Sequence, residues 1–424
     1  MIIKNLKYRS ILASFYTALI CFLTYACVYA FRKPFTIGLY INQPTFLGID
    51  FKNCLVISQV LGYTFSKFYG VKYISSLKKV GRGKAIVLLL FLSWIPLFFF
   101  PIIPAPFNML CLFLNGAPLG IIWGIVFSFA EGRRGTDFIG AALAVSFIIS
   151  SGVVKSVAKW LQLSFQIAEM WVPFYTGLLF IIPVIILVFL LDKIPPPTKE
   201  EIELKSIRLP MTSIERKSFF IQFKFGLISF IFIYVLLTLF RDIRDNFAAD
   251  IWKDLGFVND ASIFTGTEIT IAIIVLILIA SMIFIKNNKI VFYISQFLII
   301  LGFFIAGIST YLFQHQFISG FNWMLLVGLG LYMGYIPFNS ILFDRMIAAF
   351  KLKGNVGYFM YMMDSFGYLA SVMVISFKGA SHVKMNWLVF YGNGVLWCSI
   401  LGTVLSIITL LYFIKISKQN LIYE

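Results

Sequence analysis

The sequence predicts an all-α polytopic membrane protein of about twelve transmembrane helices in two bundles of about six each. Three observations carry this. Of the 424 residues, 60% are hydrophobic and only 12% charged, with mean hydropathy +0.92, a balance that soluble domains do not carry. Apolar stretches recur at the length of roughly 20 residues that a helix needs to cross a bilayer. One long polar connection, 192–218, parts those stretches into two groups.

The first group of spans is expected near 11–31, 53–71, 85–103, 108–130, 138–160 and 171–191. The second is expected near 219–240, 262–285, 290–312, 321–343, 355–377 and 388–414. The first apolar run is too long for a signal-peptide core and lacks a small-residue cleavage site, so it reads as a retained span. The connection holds Pro195, Pro196 and Pro197, then Glu200, Glu201, Lys205 and Arg208. This layout gives an N-terminal bundle over 1–191 and a C-terminal bundle over 219–424, arranged like repeats with a site between them.

The formal net charge is +17. The cations lie in short loops between apolar runs, as topology signals do, and form no nucleic-acid patch. Lys4, Lys7, Arg9, Lys72, Lys78, Lys79, Arg82, Lys84, Arg133, Arg134, Lys286, Lys289, Arg345, Lys351, Lys353, Lys415 and Lys418 fall on one side of the alternation. That side is then cytoplasmic and holds both termini. Cys21, Cys27, Cys54, Cys111 and Cys398 have no paired or metal-ligand spacing and read mostly as small buried hydrophobes. His315 and His382 are too few and too far apart for a metal cluster. Two rows of small residues, Ser58-Gly62-Ser66-Gly70 and Gly116-Gly120-Gly124-Ser128, recur every fourth position and predict close helix approach in lipid.

The stretch Thr24–Phe35 carries the densest chemistry. Tyr25, Tyr29 and Arg32 share one helical face, and Pro34 is expected to end or kink the helix. Arg32 and Lys33 either face a ligand or cavity, or snorkel to the membrane surface.

Tyr29, Arg32, Lys33 and Phe35 resemble the signature closing the first helix of organophosphate:phosphate antiporters, within the major facilitator superfamily. Gly62-Tyr63, Ser66-Lys67-Phe68 and Gly70 resemble that family's second-helix signature. The chain also resembles an uncharacterised bacterial branch of the superfamily. The resemblance implies a twelve-helix alternating-access carrier in which Arg32 and an arginine late in the seventh span bind phosphate from opposite sides. Arg241 and Arg244 both match the latter position; Arg241 lies deeper. Where the family has a histidine in its fifth span, this chain reads Ser150-Ser151-Gly152, with Lys155 just beyond. The family's aspartate after the second span has no clear counterpart near Ser75 and Ser76.

Other ionisable residues fall within the spans. Lys155 seeks an anion or snorkels outward. Glu268 resembles an acidic position in the antiporter family and is expected to pair with a seventh-span arginine; Asp242 is the alternative partner. Asp364, flanked by Tyr361 and Tyr368, lies near mid-membrane and serves either proton coupling or a static pairing. Glu131, Arg133, Arg134, Asp344 and Arg345 read as cytoplasmic latches and topology signals.

The expected function is secondary active transport of a small organic anion, phosphorylated or not. Arg32 and Arg241 would clamp it, supported by Lys33, Lys155, Tyr25, Tyr29 and Arg244, with Glu268, Asp242 and Asp364 in coupling or charge pairing. No Gly-x-x-x-x-Gly-Lys-Ser/Thr loop is present, so energy would come from a gradient. The alternative is a membrane sensor that binds the anion and signals through a partner. No catalytic constellation is visible, so the chain reads as no enzyme, with no cofactor and no metal. The expected partners are the anionic solute and the bilayer, with no nucleic acid, for a monomer in a bacterial inner membrane.

Overall fold

A computed structural model describes residues 2–76, 81–130, 136–195, 220–350, 356–380 and 386–420. The connection beyond residue 195, Glu131, Arg133, Arg134 and His382 lie outside these residues, and so do the side chains of Lys67 and Tyr361. Twelve long helices and two short ones make up the described chain, whose only β pairing is an isolated bridge between Phe46 and Ile49. In order they are α1 Ile2–Val28, α2 Phe51–Ser76, α3 Arg82–Phe99, α4 Met109–Ala130, α5 Thr136–Ser164, α6 Val172–Asp192, α7 Lys224–Asn246, short α8 Ala248–Asp254, α9 Ser262–Ile283, α10 Asn288–Gln314, α11 Gly320–Ser340, short α12 Leu342–Ala349, α13 Val356–Ala380 and α14 Trp387–Asn420. Ten of the long helices are apolar enough over their described residues to cross a membrane. The other two long helices, α2 and α13, carry polar residues along their length, among them Lys52, Asn53, Gln59, Asp364 and Ser365.

The chain forms two compact units: Met1–Lys205 with Asp245–Ile269 and Val372–Lys384, and Ser206–Arg244 with Thr270–Ser371 and Met385–Glu424. Segments 245–269 and 372–384 therefore pack with the first unit although they follow the central connection in sequence.

In the first unit, α2 and α4 approach backbone to backbone. A methyl group on Gly62 would strike the Phe113 carbonyl, one on Gly116 the Gln59 carbonyl, and one on Gly120 the Ser66 hydroxyl. The small-residue rows permit this approach because lipid supplies no hydrophobic force between helices and contact must come from close packing. α1 ends at Val28 and continues as 3-10 turns over Tyr29–Phe31 and Pro34–Ile37, with Pro34 opening the second turn. The loop after it is tied down by Glu169, which accepts from the Leu39 (3.2 Å) and Tyr40 (2.9 Å) amides. Burial, reinforced by Glu169, holds the Tyr40 phenol well above its ordinary pKa, so it stays a neutral donor to the Phe35 carbonyl.

In the second unit, Gly302 of α10 and Gly330 of α11 make the same kind of seam, each facing the other's carbonyl. Phe230, Phe292, Phe338, Phe343 and Phe413 fill the core with edge-on and stacked rings. The span expected over 321–343 is broken: α11 stops at Ser340 and α12 restarts at Leu342. Pro337 removes one backbone donor there. Asn339 and Ser340 also turn their side chains onto the Tyr335 and Ile336 carbonyls, which weakens the helical ladder.

Candidate functional site

Arg32 and Lys33 stand in the gap between the two 3-10 turns, where the end of α1 leaves carbonyls without helical donors. Polar side chains on two neighbouring helices, α2 and α4, satisfy them. Asn115 of α4 donates to the Phe31 carbonyl (2.8 Å) and to Ser93 of α3. Gln59 of α2 donates to the Arg32 carbonyl (2.8 Å) and to Asn115 (2.7 Å). Each of these amides is buried. The backbone under the two cations is thereby fixed.

The Arg32 guanidinium lies 4.1 Å from the Tyr63 ring centroid and 5.8 Å from that of Tyr29. Tyr29, Tyr25 and Phe147 form one aromatic wall, with centroids 5.4–6.5 Å apart. Stacking engages the face of a guanidinium, and its planar edge is the part that pairs with a carboxylate or phosphate. Lys33 points elsewhere. Its ammonium pairs with Asp245 and donates to Asn246 (2.7 Å). Lys155 of α5 reaches the same Asp245 carboxylate (2.5 Å) and its backbone carbonyl, and Ser151, one turn earlier on α5, donates to it too. Two buried ammonium groups thus share one carboxylate. Glu268 packs against Gly152 of the same helix, where a side chain would collide with it, and Thr265 bonds Ser156 (2.6 Å). A one-to-one pair, Lys52–Asp250 (2.6 Å), lies in the same unit.

The second unit holds its own polar cluster. Arg241 pairs with the adjacent Asp242 (2.5 Å), and its guanidinium sits 3.9 Å from the Tyr335 centroid. Asp242 accepts from Ser371 (3.0 Å). Tyr234 donates to Asp364, its hydroxyl lies 3.2 Å from that of Tyr335, and Asn339 donates to it at 3.3 Å. Arg244 is committed differently: it donates to the Met324 carbonyl (3.2 and 3.3 Å) and lies against Gly328.

The expected residues are therefore sorted by the structure. Tyr25, Tyr29, Arg32, Lys33, Lys155 and Glu268 lie in the first unit; Arg241, Asp242, Arg244 and Asp364 lie in the second. Asp242 holds Arg241. Of the two arginines matching the seventh-span position, Arg241 stacks on a tyrosine while Arg244 is used in packing. Sequence reading missed Asp245 as the shared counter-ion of Lys33 and Lys155, and missed Tyr63, Phe147, Tyr234 and Tyr335. Gln59 and Asn115 carried a usable signal, since amides inside apolar helices are rarely left without a role.

The fold is that of polytopic membrane transporters of the major facilitator type. The xylose transporter XylE from E. coli matches with TM-score 0.58 at 13% identity, covering 94% of this chain and 96% of that one. The nucleoside transporter NupG matches with TM-score 0.57 at 17% identity, covering 95% and 99%. A structure described for proton-dependent oligopeptide transporters matches with TM-score 0.61 at 12% identity, covering 96% and 99%. Within that fold class, a model described as a family of unknown function (DUF5690) matches residues 34–416, and the chain belongs to that family. No curated protein matches it.

Proposed function

We propose that the protein is a secondary active transporter that moves a small organic anion by alternating access, with phosphorylated anions the first class to test. One observation carries the anionic substrate: Lys33 and Lys155, both buried, share the single carboxylate of Asp245, and Arg32 adds a third cation beside them. Even counting Glu268, these groups keep a net positive charge. Buried charge of one sign is expensive in a membrane and marks a place where the opposite sign is recruited. The fold supports a carrier, and the helix-one and helix-two motifs support exchange of an organophosphate for phosphate.

In this reading Arg32 offers the fork of its guanidinium, Tyr25 and Tyr29 line its approach, and Lys155 supplies a mobile point charge. Arg241, stacked on Tyr335 in the second unit, is the corresponding contact there, and Asp242 occupies it when no anion is bound. Asp364 serves structure or coupling and does not touch the anion. The protein lies in a bacterial inner membrane with both termini cytoplasmic and acts as a carrier, not an enzyme.

The test is a thermal-shift screen of phosphorylated and carboxylated anions on the purified protein, followed by counterflow in proteoliposomes. Saturable binding followed by counterflow supports the reading. Binding without counterflow replaces it with an anion sensor, and the absence of binding by any anion overturns it.

A further inference from the structure

We propose that Lys33, Lys155 and Ser151 form an anion site that the chain's own Asp245 fills, and that the anionic group of the transported solute takes the place of that carboxylate in turn. The second half rests on the carrier reading above; the first does not. Asp245 is held the way a ligand is held. One carboxylate oxygen meets Lys33, and the other meets Lys155 and Ser151. The groups that hold it are contributed by fixed backbone. Lys33 sits in the gap pinned by Gln59 and Asn115, and Ser151 and Lys155 lie one turn apart on one face of α5.

The members differ in exposure. The lysine side chains are 5% exposed and that of Asp245 is 15%, so the carboxylate is the more accessible member of the cluster. Asp245 also comes from the last turn of α7, far along the chain from its partners.

Charge identifies the class of competitor. Asp245 brings one negative charge to two ammonium groups and leaves one unbalanced. A phosphate ester carries about −1.5 to −2 at neutral pH and has three strong acceptor oxygens. It balances both lysines and can also accept from Ser151, so a phosphoryl group displaces Asp245 more readily than a monocarboxylate does. The nearby Lys52–Asp250 pair, balanced one to one, offers no such surplus.

The experiment uses the full chain in detergent, with thermal unfolding read in formate, in inorganic phosphate and in chloride at matched ionic strength. Asp245→Ala should melt below the parent protein. Formate should restore about half or more of that loss in a saturable way, because an anion that binds only the folded site stabilises it by mass action. The parent protein should show no formate effect beyond chloride, and adding Lys155→Met to Asp245→Ala should abolish the rescue. Should Asp245→Ala fold only when formate is present throughout purification, the site is likewise supported. A formate response of Asp245→Ala equal to that in chloride overturns the proposal. Asp245→Asn keeps the shape and removes the tethered charge, so phosphate should protect it at a concentration at least about tenfold lower than for the parent protein. Equal or weaker protection overturns the exchange of carboxylate for solute, and decides the matter if Asp245→Ala does not fold under any condition. Formate rescue without counterflow of any anion leaves this site standing and removes the carrier. Counterflow without formate rescue does the reverse.

Discussion

Arg32 in the first unit and Arg241 in the second are each laid on a tyrosine ring, at 4.1 and 3.9 Å, yet their surroundings solve opposite electrostatic problems. Around Arg241 the named cation finds its counter-charge: Asp242 pairs with Arg241, while Ser371 donates to Asp242 and Tyr234 donates to Asp364. Beside Arg32 two cations share one counter-charge: Lys33 and Lys155 both pair with Asp245. Two regions built from similar residue types therefore differ in what they lack. The second unit's cluster is complete as it stands, and the first unit's cluster has room for one more negative charge. In the proposed function, residual charge and not the presence of arginine marks the first unit's cluster as the one that recruits an anion.

The largest expected effect comes from removing the shared counter-ion. Asp245→Ala leaves two buried ammonium groups facing each other and should destabilise the protein by about 3–5 kcal/mol, the range seen when one partner of a buried pair is lost. Lys155→Met leaves a balanced Lys33–Asp245 pair and should be clearly milder. Melting temperatures of the two variants check this, and an order reversed between them would break the contrast between the two clusters.

Next is Gly328→Ala. The added methyl meets the Arg244 guanidinium at about 2.7 Å and should cost about 1–3 kcal/mol by overpacking, with anion affinity unchanged. Loss of affinity with stability intact would move Arg244 back into the binding machinery.

Arg32→Lys keeps the charge but loses the fork and the stacked face. It should weaken anion binding about tenfold or more, equivalent to about 1.4 kcal/mol. Near-normal affinity would mean that Arg32 merely snorkels.

The smallest changes belong to the balanced cluster. Ser371→Ala removes one hydrogen bond to Asp242 and should cost about 1–2 kcal/mol in stability. Asp364→Asn should leave anion affinity within about threefold, because a carboxylate would repel the anion it was supposed to hold. Abolished binding in a folded Asp364→Asn protein would contradict the division between the two clusters.

How far the sequence revealed this depends on the range over which each feature is encoded. Apolar runs of helix length, the proline at 34 and the four-residue rows of glycine and serine are local, and they yielded the helices, the end of α1 and the α2–α4 contact. The break at Ile341 was also encoded locally, in Pro337, Asn339 and Ser340, but apolar continuity through residue 343 masked it. The shared Asp245 was illegible for a different reason. In sequence it is one sign in the alternating run Arg241-Asp242-Ile243-Arg244-Asp245, which reads as self-neutralising. Only the fold carries its carboxylate to Lys33 and Lys155, 212 and 90 positions away. The same applies to Tyr335: aromatic residues are so common in this chain that nothing local marks the one that lies under Arg241, and the Gly62-Tyr63 motif marks its helix without showing that Tyr63 lies under Arg32.

The glycine seams have a consequence for how the protein is made. In the second unit the backbone contact joins α10 and α11, consecutive helices that can close as a hairpin as soon as both have left the ribosome. In the first unit it joins α2 to α4, so the stripe at Gly62 emerges with no partner and must wait while α3 is synthesised. A helix that waits with its small-residue stripe facing lipid is open to the wrong neighbour. Ribosome-arrested chains ending shortly after α3 should therefore retain α2 at the insertion machinery, and chains long enough to deliver α4 should release both together.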